Sequence, residues 1–304
     1  MKYLKTYESK ESEINMDWFI STTEGDLETI KKWIKSGIDI NCKTTIGKTA
    51  LYYAIEHANL ETIKELIDNG ADVNVRFRDI PLILIEPIKN KNEIRKLLID
   101  SGIDLCQKDN NGYTPLYKFI VNTKYKDVLF LIKNCKDKKC LEIKNNNGDT
   151  ILHLSSYHEN EKLVNELIRQ KVDVNCTNNQ GITPLLLSSS LGYSNLVKKL
   201  IDSGANINSI QNDGSTPLIC AAEMSNIEIV EMLLTKVADL SIINNDNMCA
   251  FNYIKDFWKE EYVQEQIMQT QPHIAPLMKK YIKIHPNIEE KYSVYFDMGD
   301  IGLF

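Results

Sequence analysis

The chain has 304 residues and a formal net charge of −6 at pH 7, with a pI near 5.5. This acidic balance excludes the basic footprint that nucleic-acid-binding proteins carry. No apolar run approaches the roughly 20 residues that span a bilayer, so no membrane partner is expected. Because no apolar h-region follows the first five residues, we expect no signal peptide and a cytoplasmic location.

A short phrase that begins with threonine recurs along the chain and predicts a repeat architecture. The phrase reads Thr-Pro-Leu in its best copies and is looser in others. The copies are Thr49–Tyr52, Thr114–Leu116, Thr150–His153, Thr183–Leu185 and Thr216–Leu218, with a degraded one at Ile80–Leu82. Because successive copies, including the looser and degraded ones, are about 33 residues apart, the chain is interpreted as a stacked array of similar units.

The last well-formed unit shows the elements expected in each copy. Asn212-Asp213-Gly214 predicts a turn, since Asn and Asp fold back on the backbone and Gly accepts a positive φ. Thr216 is placed to cap the next helix, with Pro217 at the first helical position, where no backbone N–H is needed. Apolar residues at a helical period predict a second amphipathic helix over residues 227–234. Each unit is therefore a turn, two helices and an extended link.

A second recurring phrase makes a family resemblance specific. Gly70-Ala71-Asp72-Val73-Asn74 returns at 204–208 and, more loosely, at 37–41 and 172–175. With the threonine phrase and the 33-residue period, the chain resembles the ankyrin-repeat family. The resemblance implies an all-α repeat solenoid, an ankyrin-like stack of helix-turn-helix units with short β-hairpin tips.

We predict three parts in chain order: an N-terminal lead over 1–14, an ankyrin-repeat array over 15–269 and a C-terminal extension over 270–304. Seven repeats are placed near 15–45, 46–75, 76–108, 109–144, 145–177, 178–210 and 211–243, followed by a partial one. The first helix of the first repeat is expected to begin at Asp17. The C-terminal part is expected to contain a closing helix near Phe257, a short helix over 275–284 and an apolar, acidic tail over 292–304.

Two repeats depart from the pattern. The third has the turn Arg76-Phe77-Arg78-Asp79, which lacks Gly, and it has Pro87 inside its first helix, where proline should shorten or kink the helix. This segment is either a binding hot spot, since Arg and aromatic residues are enriched in hot spots, or a product of drift. The fourth repeat carries a lysine-rich insertion at 136–139, which predicts a longer solvated loop or a contact with an acidic partner or an anion.

The residues point to no catalytic set, no cofactor and no metal. His153, in the phrase Thr-Ile-Leu-His, is interpreted as a structural hydrogen-bonding residue. Three cysteines at the ends of repeats are interpreted as repeat positions rather than ligands: Cys42, Cys106 and Cys176. Cys135 and Cys140 are close, but no second pair lies at zinc spacing. The odd total of seven cysteines argues against a secreted disulfide framework.

The resemblance implies that a partner binds the concave face, which the hairpin tips and the exposed sides of the first helices form. The candidate partner-binding residues are Arg76, Phe77, Arg78, Tyr113, Asn146, Tyr157, His158, Leu191 and Met224, and in the tail Tyr295, Phe296 and Phe304. Phe77, Tyr113 and Tyr157 are each either an interface anchor or a packing residue. The Asn-rich tips are interpreted as turn chemistry.

The sequence therefore predicts a non-enzymatic scaffold that binds a protein partner, and a monomer unless the tail joins two chains. One alternative is a viral or bacterial effector that occludes a host defence enzyme in the host cytoplasm. The unusual tail motivates it, as does the abundance of Asn, Ile and Lys, which is typical of AT-rich coding sequences. A remote alternative is a small-ligand or enzymatic pocket where the tail meets the stack, with His273, His285, Asp297 and Asp300 as its polar groups.

Overall fold

The computed structural model describes residues 10–110, 112–122, 124–236, 238–239, 241–250 and 252–253. Helices occur in pairs along the chain. The first helices of the pairs are α1 (Lys10–Glu24), α3 (Ala50–Glu56), α6 (Pro115–Val121), α8 (Ile151–Tyr157), α10 (Pro184–Leu191) and α12 (Pro217–Glu223). The second helices are α2 (Leu27–Lys35), α4 (Leu60–Asp68), α5 (Lys91–Asp100), α7 (Tyr125–Asn134), α9 (Glu161–Arg169), α11 (Ser194–Asp202) and α13 (Ile227–Thr235).

Within the described ranges, no helix is both long enough and apolar enough to cross a bilayer. The predicted closing helix near Phe257, the predicted helix over 275–284 and the tail lie outside the described residues.

The first helix begins earlier than the sequence pattern indicates. Helix α1 starts at Lys10, whereas the apolar residues of the pattern begin near Asp17. The seven residues before Asp17, Lys-Glu-Ser-Glu-Ile-Asn-Met, carry no apolar period, so the search for an amphipathic helix missed them. Lys and Glu have good helix propensity, which is enough to extend a helix that is already nucleated by the buried Trp18 and Phe19.

The turn and cap predicted at Thr216 are confirmed. The Thr216 hydroxyl accepts a hydrogen bond from the Ile219 amide at 3.2 Å, and Pro217 occupies the first turn of α12. Leu218, Ala221 and Ala222 of this helix are buried. A threonine cap of this kind stabilises a helix by about 1 kcal/mol, and Thr49 and Thr183 cap their own first helices in the same way.

The chain divides into two compact units, residues 1–146 and 147–304, which we describe separately. In unit 2 the first helices α8, α10 and α12 pack side by side in sequence order. Leu185, Leu196 and Leu200 are fully buried between the layers of helices. Each such leucine contributes about 2 kcal/mol of hydrophobic stabilisation, so the core of unit 2 lies between its first and second helices.

In unit 1 the third repeat has lost its first α-helix altogether, whereas Pro87 predicted only a shortened or kinked helix. A two-residue hairpin forms instead, with β1 (Arg76–Phe77) antiparallel to β2 (Ile80–Pro81). Its loop residues Arg78 and Asp79 both take positive φ, 50° and 62°, the geometry of a tight hairpin turn. Only a 3-10 turn at Leu82–Leu84 follows, and the chain is extended at Ile85.

An ion network around one buried arginine holds the non-helical segment that replaces this helix. Arg95 of α5 is 1% exposed, and its Nη2 lies 3.0 Å from Glu86 Oε1. Its Nη1 lies 2.8 Å from Asp127 Oδ1, as an ion contact without hydrogen-bond geometry. The guanidinium also lies 4.6 Å from the centre of the Phe119 ring. Lys91 lies 2.9 Å from the Glu86 carboxylate and 2.7 Å from the Asp127 carboxylate. These two carboxylates therefore neutralise both the buried Arg95 and the neighbouring Lys91.

The insertion in the fourth repeat folds back on the end of the third. Lys138–Leu141 forms a 3-10 turn in which Cys140 and Leu141 are buried, while the lysines stay exposed as predicted for a solvated loop. Cys140 forms a disulfide with Cys106, across a sequence separation of 34 residues and a Cα–Cα distance of 4.6 Å.

The interpretation of Cys106 as a simple repeat position was therefore wrong. Cys106 stands where the other repeats carry the Asn that ends the Gly-Ala-Asp-Val-Asn phrase, as in Asn74. The Asn74 side chain bridges to the next repeat by bonding the Gly102 carbonyl and the Asp104 amide. At Cys106 a covalent bond takes the place of this amide bridge, which the spacing of cysteines alone could not reveal.

Candidate partner-binding surface

In unit 2 the turn and first helix of each repeat are locked together by side-chain hydrogen bonds. His153 is 2% exposed, and its Nδ1 lies 3.2 Å from the Thr150 amide, closing a capping box. Its Nε2 lies 2.9 Å from the carbonyl of Ile182 in the next repeat. The predicted structural role of His153 is confirmed, and the ring fixes the spacing between two successive tips.

The Asn-rich tips form a ladder from one repeat to the next. The Asn179 amide donates to the Asn147 carbonyl at 3.0 Å, and the Asn212 amide donates to the Gln180 carbonyl at 2.9 Å. Gly148 has φ of 80°, and a Cβ there would lie 2.4 Å from Asn179 Oδ1. The tips are therefore rigid and closely spaced. The asparagines form the turns, as predicted, and they also bridge successive tips, a role that the sequence did not show.

A surface cavity of about 570 Å³ lies in unit 2 between two successive tips and their first helices. Its lining combines amide and carboxylate groups at the tips with apolar side chains of α8 and α10. The lining residues are Asn147, Asp149, His153, Leu154, Tyr157, Asn178, Asn179, Gln180, Ile182 and Leu187. Binding cavities in proteins commonly combine apolar lining with a few polar groups in this way.

The prediction had missed Leu154 and Leu187 in the cavity. Leu154 and Tyr157 are three residues apart on α8 and so share a helix face. Both leucines are only half-buried, although they stand in otherwise buried first helices. The sequence signal that could have identified Leu154 was its position three residues before the predicted Tyr157 on the same helix.

Three predicted residues in unit 2 form an exposed apolar row at the ends of neighbouring first helices. Tyr157 is 56% exposed, Leu191 is 38% exposed and Met224 is 57% exposed. The Tyr157 ring meets the exposed His158 edge-to-face at a centroid distance of 5.2 Å. We call one surface of unit 2 its first-helix face. It consists of helices α8, α10 and α12 with their last-turn residues, and of the turns 147–149, 178–182, 211–215 and 244–248.

In unit 1 the predicted residues around the third repeat are held by intramolecular contacts. The Phe77 ring packs on Tyr52 at 5.1 Å, and the Arg78 guanidinium lies 5.1 Å from the Phe77 ring. Arg76 pairs with Asp79 at 2.6 Å and with the side chain of Gln107 at 2.9 Å. Of the three predicted residues in this turn, Arg78 is the exposed one.

Two further predicted residues of unit 1 also have packing partners. Tyr113 is half-buried and stacks on the buried Tyr117 at 5.7 Å. Asn146 is exposed, but its amide lies against the turn at Gly112, where an added Cβ would be 2.4 Å from Asn146 Oδ1. The predicted tail residues Tyr295, Phe296 and Phe304 lie outside the described part of the chain.

Among the residues that the structure describes, one group of side chains has metal-ligand chemistry. The Asp104 carboxylate and the sulfurs of Cys106 and Cys140 lie within 4.8 Å of one another. In the reduced state, two thiolates and a carboxylate could hold a metal ion, whereas the disulfide removes both sulfur ligands. The same Asp104 carboxylate accepts the Cys106 amide at 2.8 Å, which is the turn contact that Asp72 and Asp173 make in their own repeats.

Stacked helix pairs, bridged tips and an exposed row on the first helices define a helical repeat scaffold. A family profile for ankyrin repeats, in three copies, matches residues 18–109, 84–177 and 152–244. The chain belongs to the ankyrin-repeat family, so the predicted family and fold class are confirmed. Repeats of this family serve as protein-interaction scaffolds.

Two curated proteins match shorter stretches. Alpha-latrotoxin-Lg1a of Latrodectus geometricus is 25% identical over 87 residues, which cover 29% of this chain and 6% of that protein. An ankyrin repeat protein of Borreliella burgdorferi is 34% identical over 93 residues, which cover 31% of this chain and 41% of that protein. The matched stretch is therefore less than half the length of either relative.

A solved structure shows the same fold. The ankyrin repeat domain of Bcl-3, described as a unique member of the IkappaB protein family, aligns with a TM-score of 0.60 at 22% identity. The alignment covers 68% of this chain and 94% of that domain.

Proposed function

We propose that this chain is a non-enzymatic scaffold that binds a protein partner through the first-helix face of unit 2. The observation that supports this most directly is the exposed row of Tyr157, Leu191 and Met224 beside the cavity. Aromatic and large apolar anchors of this kind each contribute about 2 kcal/mol or more when they are buried in an interface. The rigid tips add affinity because little conformational entropy is lost on binding.

The test compares partner capture by the full chain and two variants. The first variant carries Tyr157→Ala, Leu191→Ala and Met224→Ala, which should abolish recovery of a stoichiometric partner. The control carries Ile210→Ala and Ile243→Ala, which remove exposed apolar groups from the links between repeats. Equal partner recovery by the folded triple variant and the control would contradict the proposal.

A finer proposal is that the bound partner is a host defence enzyme and that binding occludes it. The composition, rich in Asn, Ile and Lys, supports an origin in an AT-rich genome such as that of a virus or a bacterium. Affinity purification from host cytoplasm, followed by an activity assay of the recovered protein, tests this role. Recovery of a partner whose activity is unchanged by a stoichiometric amount of this chain would exclude inhibition while leaving the scaffold role in place.

A further inference from the structure

In the part of unit 2 that the structure describes, Lys and Arg occur with only one of the two layers of helices, whereas Asp and Glu occur in both. The acidic side chains of the first-helix face and the adjoining helix–helix turn are Asp149, Glu159, Asp213, Glu223 and Asp246. The basic side chains of residues 147–253 lie in the second helices or directly after them: Lys162, Arg169, Lys171, Lys198, Lys199 and Lys236. The first-helix face therefore carries no Lys or Arg at all.

The negative potential of this face acts on a neighbouring group. Burial, together with the carboxylates of Asp213 and Glu223, raises the pKa of the Cys220 thiol to about 12. Both carboxylates therefore disfavour a further negative charge at Cys220. The same two carboxylates are exposed, so they favour a positive charge that approaches them from solvent.

The apolar part of the face lies within this acidic surround. The cavity floor contains Leu154 and Leu187, and Asp149 stands on its rim. Tyr157 offers an exposed ring on whose face an alkyl or cationic side chain can lie. Such a site requires both an apolar group and a positive charge from whatever occupies it.

We propose that the first-helix face of unit 2 binds a basic segment of a partner protein, with an aliphatic or aromatic side chain of that segment in the cavity beside Tyr157. This inference rests on the proposed function and specifies the chemistry of the partner. Lysine and arginine side chains of the segment face Asp213, Glu223 and Asp246, while the apolar side chain fills the cavity. Charge complementarity of this kind mainly sets specificity and the association rate.

The experiment selects random 12-residue peptides, displayed on phage, against the full chain. The enriched peptides should carry an excess of Lys and Arg together with a large apolar residue. Affinity of the best peptide, made synthetically, should fall as NaCl is raised from about 0.05 M to about 0.3 M, because salt screens exposed charge pairs.

Two variants of equal net charge then locate the effect. Asp213→Asn, Glu223→Gln and Asp246→Asn together should weaken peptide binding about tenfold, since three exposed ion pairs at several tenths of a kcal/mol each give about that factor. The control carries Glu161→Gln, Asp202→Asn and Glu231→Gln on the second helices, and it should change affinity by less than about twofold. Equal weakening by the two variants, or enriched peptides without excess positive charge, would overturn the proposal.

Further outcomes separate this inference from the proposed function. If the Tyr157→Ala variant no longer binds the peptide but the acidic-face variant still does, the proposal of a basic partner is overturned, while the proposed binding face still stands. Peptides insensitive to both changes count against the face itself. If Lys279→Glu, Lys280→Glu and Lys283→Glu raise the peptide affinity tenfold or more in the full chain, the occupant is the chain's own basic stretch, and the assignment to a partner is overturned.

Discussion

The two units are built from the same repeat but differ in whether the charged side chains of their turns and first helices are paired. In unit 1, cations and anions of the turns and first helices pair with one another. These pairs are Lys48–Glu56 at 3.1 Å, Arg76–Asp79 at 2.6 Å, Lys118–Asp109 at 2.9 Å and Lys124–Glu86 at 2.9 Å. On the equivalent surface of unit 2 the Asp, Glu, Lys and Arg side chains are all acidic, and they accompany the exposed apolar row.

In unit 1, ion pairs surround the segment where the third repeat lacks a first helix. Unit 2 has regular helix pairs, which buried leucines and bridging amides hold together. We infer that unit 2 is the unit that presents a recognition surface.

The links between repeats differ at one place. In both units an Asn side chain bridges successive links. Asn74 of unit 1 bonds the Gly102 carbonyl and the Asp104 amide, and Asn175 of unit 2 makes the equivalent bonds at 3.1 and 2.7 Å. After the third repeat of unit 1, the disulfide of Cys106 and Cys140 stands at the corresponding link. Unit 1 therefore has an ionic network and a covalent link in addition to its amide bridges, and specific changes can break either.

The largest effect is expected from Asp127→Ala in unit 1. The change leaves the fully buried Arg95 without one of its two counter-charges, so stability should fall by about 4 kcal/mol. Hydrogen exchange should show lost protection in α5 and α7 while α11 of unit 2 keeps its protection. The control, Lys64→Ala, removes an exposed ion pair with Glu61 and should cost less than about 1 kcal/mol. Equal protection in both variants would contradict a supporting role for the network.

Reduction of the disulfide should have the next largest effect. Opening a loop of this length should lower the stability of unit 1 by about 3 kcal/mol, because the unfolded chain regains entropy. Urea unfolding with and without a thiol reductant measures the difference. Cys106→Ser should reproduce the loss and remove the response to reductant, whereas Cys42→Ser should keep the response. A reductant effect that persists in Cys106→Ser would exclude this bridge as its cause.

His153→Ala tests the bridging contacts of unit 2. The change leaves the Ile182 carbonyl without its His partner and opens the capping box, so a loss of about 2 kcal/mol is expected. His158→Ala is the matched control, because His158 is exposed at the end of the same helix, and it should cost less than about 0.5 kcal/mol. Thermal unfolding of the two variants checks this, and similar melting temperatures would argue against the bridge.

A smaller effect should appear as a pH dependence of unit 1. Partial burial tends to raise the pKa of Glu86, but hydrogen bonds from Lys124 and Lys91 and the charge of Arg95 outweigh it and lower the pKa below its ordinary 4.5. The stabilising contribution is therefore present above pH 4.5 and is lost as the pH falls through the lowered pKa. Glu86→Gln should flatten this acid-side loss in urea titrations, and an unchanged pH profile would contradict the assignment.

The smallest effect on stability is expected from Arg78→Ala, at less than about 0.5 kcal/mol, since Arg78 is exposed. The double variant Phe77→Ala, Arg78→Ala tests whether the third repeat also contributes to partner binding. If unit 2 alone binds, the affinity for the recovered partner should stay within about twofold of the unchanged chain. A tenfold loss of affinity in a folded variant would establish a binding hot spot in unit 1. The two units would then no longer differ in whether they bind the partner.

Much of the fold was predictable because each repeat uses local rules. Thr216 and Pro217 mark a helix start through hydrogen bonds within one turn, and the leucine period marks the buried side. The role of His153 followed from its place in the phrase. The start of α1 at Lys10 did not follow, since polar residues extend a helix without leaving a period.

The repeat, its period and the starts of the threonine-capped helices follow from the sequence, because they depend on neighbours within one unit. Pro87 indicated a disturbed helix in the third repeat, but not its complete loss. The folded molecule alone shows that Cys106 bonds Cys140, that Arg95 is buried between Glu86 and Asp127, and that Leu154 and Leu187 share a cavity. Each of these contacts joins residues of different elements, and their distances are set by how successive units stack rather than by any local preference.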